Sequence, residues 1–68
     1  MIGTMVLAPQ LLRLRLDRGL SQKELAKRSG VARTTIMRAE AGHQIYPSTL
    51  RKLAEALGVT PATLRRQS

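Results

Sequence analysis

Apolar side chains recur along this chain at helical spacing, and the breaks between runs fall on glycine, proline and small hydroxyl residues. Helix 1 is expected over 9–18, with Pro9 in its first turn and Gly19 as its stop. On a helical wheel Ala8, Leu11, Leu12, Arg15 and Leu16 share one face, and Leu14 lies off it. A charge in mid-face is costly unless a carboxylate meets it, so Arg15 calls for a partner. Helix 2 follows Ser21, because S-Q-K-E is a capping box in which Ser21 and Glu24 satisfy each other's free amides. Leu25 and Ala26 then face inward, Lys23 and Lys27 outward, and Gly30 ends the segment. Helix 3 spans 33–41, with Ile36 and Ala39 inward and Gly42 as its stop. Its N-cap, Ala32, has no capping oxygen, which forgoes about 1 kcal/mol relative to serine or threonine. After a loop over 43–47, Ser48 is expected to cap helix 4, whose stripe is Leu50, Leu53, Ala54 and Leu57. Gly58 closes helix 4, and Thr60-Pro61 opens a short helix 5 reaching to about residue 66.

No alternating run predicts a strand, and no repeat or linker divides the chain. The expected fold is all-α, five helices in one compact domain over 9–68. Residues 1–8 read as an N-terminal arm, an expression remnant, or a leader ahead of a second start at Met5.

The size of 68 residues limits what holds such a domain together. A chain this short buries about 60% of the surface it exposes when unfolded, so stability is modest. With no cysteine there is neither a disulfide nor a thiolate metal site, which fits a reducing cytoplasm. Twelve Lys and Arg against four Asp and Glu give a net charge of +8, a strong signal for a polyanionic partner. No segment is long and apolar enough to cross a membrane. The apolar opening lacks the basic flank and length of a signal peptide.

The stretch 21–42, SQKELAKRSGVARTTIMRAEAG, carries the sharpest functional signal. Two short helices meet at Gly30, and the second presents basic and hydroxyl side chains outward. From about residue 10 to residue 64 the chain resembles the DNA-binding domain of lambda-type repressors and Cro proteins, an XRE-like helix-turn-helix family. Ala26 stands where the two helices of such a unit touch, and Gly30 where its turn needs positive φ. Val31 and Ile36 match the apolar positions after the turn and in mid-recognition helix. The segments GLSQKELA, AEAG and LAEALGV fall at matching spacing.

That resemblance implies roles for particular residues. It makes helices 2 and 3 the helix-turn-helix of a repressor-like domain, and it pairs Arg15 with Glu40 as a structural ion pair. It assigns base reading to Arg33, Thr34 and Arg38, with Thr35 and Met37 at the margins. Arginine grips guanine O6 and N7 in a bidentate fork, and threonine touches a thymine methyl or a phosphate. Phosphate contacts are implied for Gln22, with Ser21 assisting, at a helix start where dipole and amides favour an anion. The loop after helix 3 is expected along the phosphate backbone through His43, Gln44 and Tyr46, although many relatives carry Lys or Arg there. A homodimer on a pseudo-palindromic site is implied, with Val59, Pro61, Thr63 and Leu64 as interface candidates. Leu64 suits the core better than an interface. Leu14 and the apolar start, 2–7, are second candidates.

The function expected is therefore sequence-specific duplex DNA binding by a cytoplasmic, nucleoid-associated regulator, acting as a repressor. An enzyme is not expected, since one histidine, no cysteine and four scattered carboxylates form no nucleophile–base pair or metal cluster. No cofactor, metal or small-molecule site is expected either. Two competing readings are a protein-interaction module of the same fold, an adaptor or antitoxin, and nonspecific coating of nucleic acid.

Overall fold

A computed structural model describes residues 4–67, and among them the chain forms five helices and no sheet. These are α1 (Leu11–Asp17), α2 (Gln22–Ser29), α3 (Arg33–Glu40), α4 (Pro47–Leu57) and α5 (Pro61–Arg65). The α4 stripe is buried along its length: Leu50, Leu53, Ala54 and Leu57 lie at the centre of the core with Leu25, Ile36 and Leu64. Helix α2 packs on α3 and α4, α4 on α5, and α1 on α3.

Helix α1 corrects the expected face. Leu11, Leu14 and Arg15 point inward, while Leu12 is 42% and Leu16 60% exposed. Leucine stands at four of the seven positions of α1, so faces on either side of Leu11 and Arg15 are both apolar. Periodicity in so short a helix does not choose between them, and packing against the other helices decides. The start of α1 shifts as well. Pro9 sits in a turn closed by Leu11 N–H donating to Ala8 O at 3.1 Å, and Gln10, at φ −92 and ψ 0, completes it. At the other end Leu20 N–H reaches Arg15 O and Gly19 N–H reaches Leu16 O, the paired bonds of a Schellman stop.

Helix α4 begins at Pro47, not after Ser48. Proline at the first helical position loses no hydrogen bond, and the residue before it is held extended, so Tyr46 becomes the N-cap without a side-chain cap bond. Helix α5 keeps its expected start, with the Thr60 side chain accepting from Thr63 N–H.

Polar side chains join the ends of elements. Arg18 Nε donates to Leu57 O at 2.6 Å, satisfying a free carbonyl at the end of α4. The buried Gln10 donates through Nε2 to Arg66 O at 3.0 Å, and its backbone N–H reaches Leu64 O at 3.3 Å. Those bonds tie the end of α5 to the start of α1. The arm holds an isolated antiparallel bridge between Val6 and Ile45, which alternation alone could not predict because one residue on each side takes part.

Candidate nucleic-acid interface

Helix α2 starts with the capping box complete: Glu24 N–H donates to Ser21 Oγ at 3.0 Å and Ser21 N–H to Glu24 Oε1 at 2.9 Å. Hydrogen bonding to the carboxyl, from the Ser21 backbone N–H first and from the Ser21 side chain second, holds Glu24 below the usual carboxylate range. Gly30 then turns the chain at φ +74, a left-handed conformation that a Cβ would strain. The turn has a further support that the sequence motif did not reveal. Ser29 Oγ donates to Leu25 O at 2.7 Å and accepts from Val31 N–H at 3.1 Å, so the amide following the glycine is satisfied.

Helix α3 divides into two faces. Ile36 and Ala39 are buried, Thr35 and Glu40 are half-buried, and Arg33, Thr34, Met37 and Arg38 form an exposed ridge. Spacing of i, i+1, i+4 and i+5 places those four on one side, opposite the core. Among the described residues neither Arg33 nor Arg38 makes a side-chain hydrogen bond or ion pair. Both guanidiniums are open to an external acceptor. Ala32 caps α3 without a side-chain bond, as its lack of an oxygen dictates.

The end of α3 is anchored where its start is not. Arg15 Nε donates to Glu40 Oε2 at 2.6 Å and Nη2 to Glu40 Oε1 at 3.1 Å, a bidentate pair with side chains only 10% and 7% exposed. The remaining nitrogen, Arg15 Nη1, donates to Leu20 O at 2.8 Å. Hydrogen bonding to Glu40 holds the Arg15 guanidinium above its ordinary range, against the opposing effect of burial, with the carboxylate charge adding to the rise. A network of this kind locks the pitch of α3 relative to α1.

Gln22 belongs to the same network. Its Nε2 donates to Glu40 Oε1 at 2.9 Å, a structural bond that sequence reasoning missed because the residues lie 18 positions apart. One N–H of that amide remains for another acceptor. Ser21, Gln22, Lys23 and Arg33 line a shallow depression with Arg15 between the starts of α2 and α3. On the other side of α3, His43, Gln44 and Tyr46 are exposed on the loop, and Gln44 and Tyr46 share a recess with Thr35 and Arg38. The ridge is thus flanked by candidate phosphate contacts on both sides.

The interface candidates divide. Leu14 is 6% exposed and Leu64 fully buried, so neither can face a partner; their methyl groups complete the core. This corrects Leu14, which the wheel had left without a core role. Val59 and Thr63 are half-buried and Pro61 is exposed, all on or beside α5. Of the apolar start, Ile2 lies outside the described residues, whereas Met5 and Leu7 are exposed and Val6 packs against the core.

Among the described residues no group of three or more His, Cys, Asp or Glu could hold a metal ion, and no helix is long and apolar enough to cross a membrane.

A helix-turn-helix family model, HTH_3, matches residues 11–64. Among curated proteins none matches the chain significantly. Solved structures do. An HTH_3 family transcriptional regulator from Vibrio cholerae superposes with a TM-score of 0.78 at 32% identity, over 85% of this chain and 33% of that one. SinR/SinI, solved as a protein complex, gives a TM-score of 0.78 at 26% identity, over 87% of this chain and 59% of that one. A hypothetical transcription factor, NHTF, from Neisseria gives 0.76 at 29% identity, over 97% and 87%. This chain spans about a third and three-fifths of the first two of those chains. With the family model covering most of the sequence and the same five-helix architecture in place, the chain belongs to the HTH_3, or Cro/C1-type, family of helix-turn-helix DNA-binding domains of transcription regulators.

Proposed function

We propose that this chain binds duplex DNA sequence-specifically as a transcriptional repressor, with α3 lying in the major groove. The observation that carries this reading is the exposed ridge of α3. Arg33, Thr34, Met37 and Arg38 project from a helix fixed at its far end by a buried ion pair, and both arginines lack partners within the described residues. Arg38 and Arg33 read guanine edges, Thr34 a thymine methyl or a phosphate, and Thr35 and Met37 border the contact. Ser21 and Gln22 on one side and His43, Gln44 and Tyr46 on the other hold phosphates and so set the register of the helix. Gln22 does so while still bonded to Glu40, coupling one phosphate contact directly to the anchor of α3.

One such helix reads only a few base pairs. Two copies, related by a two-fold axis and meeting through Val59, Pro61 and Thr63, place two α3 helices about 34 Å apart on a pseudo-palindrome. Occlusion of a promoter by that dimer is the mode of repression, and it places the protein in the cytoplasm with the DNA it regulates. A net charge of +8 supports the same partner.

Selection of bound sequences from a random duplex library at about 0.15 M salt tests the reading. The expected result is a two-fold-symmetric motif with half-sites one helical turn apart. Binding without any enriched motif would replace it with nonspecific coating. A second reading is a protein-interaction module, favoured by one observation: the SinR match was solved in complex with the protein SinI. Absence of any duplex binding would leave that reading in place.

A further inference from the structure

The arm before α1 is fastened to the loop that leaves α3. Val6 N–H donates to Ile45 O at 2.8 Å and Ile45 N–H donates to Val6 O at 2.7 Å, so the arm is held by both bonds of an antiparallel bridge. Val6 also packs against the core. The bridge places Met5, 37% exposed, on the wall of an open recess of about 240 Å³. Its other walls include Thr35 and Arg38 of α3, Gln44 and Tyr46 of the loop, and Thr49 of α4.

Two kinds of surface meet in this recess. Arg38, Gln44 and the hydroxyls of Thr35, Thr49 and Tyr46 supply hydrogen-bond donors, one of them charged. Met5 and the Tyr46 ring supply an apolar wall, with the unbranched thioether able to follow an irregular partner. A deoxyribose-phosphate unit has the same two halves, an anionic phosphate beside a ring of C–H groups. The recess lies on the half-buried Thr35 side of α3, away from the Arg33–Thr34–Met37 part of the ridge, which suits a strand's backbone better than a base edge.

We propose that the arm is part of the DNA-binding surface, with Met5 packing on a deoxyribose of the strand whose phosphate is held by the 43–46 loop, beside the base that Arg38 reads. This rests on the reading of α3 as the DNA-facing helix. The arm then contributes affinity without base preference, because every nucleotide presents the same sugar.

Hydroxyl-radical footprinting of the whole chain on its selected duplex tests this, since the radical attacks exposed deoxyribose C–H groups. Wild type is expected to protect sugars at the edge of each half-site that Met5→Ala leaves open. Met5→Ala should also bind about fourfold more weakly, the loss of roughly one buried methylene, with the selected motif unchanged. Its thermal midpoint should match wild type, as Met5 lies outside the core cluster. Val6→Pro, which removes the Val6 N–H donor, should open the same sugars by releasing the arm. An identical footprint and affinity for a folded Met5→Ala would overturn the arm's role and leave the α3 reading standing. No wild-type footprint on any duplex would overturn both.

Discussion

Helices α2 and α3 are both eight residues long and meet at one glycine turn, yet their polar groups are used in opposite ways. At the start of α2 the Ser21–Glu24 box is closed in both directions, and Gln22 is bonded to Glu40. At the start of α3 stands Ala32, with no side-chain cap, and Arg33 and Arg38 on its ridge have no partner among the described residues. Helix α3 takes its fixity from the other end, where Glu40 receives Arg15 and Gln22. The difference shows how a small domain can present an open polar surface and still hold it rigid. Hydrogen bonds that would stabilise the presented helix locally are left unmade, and a distant buried pair supplies the orientation.

Breaking the anchor should have the largest effect. Glu40→Ala leaves the buried Arg15 guanidinium with only Leu20 O as an acceptor and deprives Gln22 of its partner. The expected loss is about 3–5 kcal/mol, read from urea denaturation followed by circular dichroism. Against a total of roughly 5–15 kcal/mol for a native domain, much of the variant would be unfolded near 37 °C. A loss below 1 kcal/mol would mean that α3 is oriented by its apolar face alone.

Opening the ridge should have a smaller effect, and on binding only. Arg38→Ala should cost about 1–3 kcal/mol on the selected duplex and relax preference at one position. Its denaturation midpoint should stay with wild type, because Arg38 is exposed and makes no side-chain bond within the described residues. Unchanged affinity and motif would mean that α3 does not read the site.

What the sequence disclosed follows the same division. Local signals were sufficient for α2, where the capping box, Leu25 and Gly30 all fall within ten residues of one another. They were sufficient for the ridge of α3, since burial of Ile36 and Ala39 fixes which side chains face out. The Arg15–Glu40 pair, 25 residues apart, was readable from a charge placed in an apolar face together with the family resemblance. Nothing in the sequence marked Gln22 as its third member, Arg18 as a cap for α4, or Val6 as the partner of Ile45. Gln22 and Arg18 are residue types equally at home in solvent, and the Val6–Ile45 bridge is made by backbone groups that nearly every residue carries. Leu14 was misplaced for a different reason: α1 is leucine-rich on two overlapping faces, and only the packed domain selects one.

The caps sharpen the comparison on its finest scale. Ser21→Ala should cost about 1 kcal/mol, while Ala32→Ser, which supplies the missing oxygen, should stabilise by a similar amount. The acid range isolates the charged half of the α2 box. Because Glu24 titrates below its ordinary value of 4.5 when folded, its ionised form stabilises the native state. That contribution is present above the unfolded pKa and is lost as pH falls through the folded one. Glu24→Gln keeps a side chain able to close the box but has no proton to bind. Thermal midpoints of wild type should therefore exceed those of Glu24→Gln at pH 6–7, and the two should converge as the pH is lowered below the ordinary value of 4.5 and through the folded one. A gap that persists undiminished into acid would show that Glu24 acts through packing and not through its charge on the Ser21 amide.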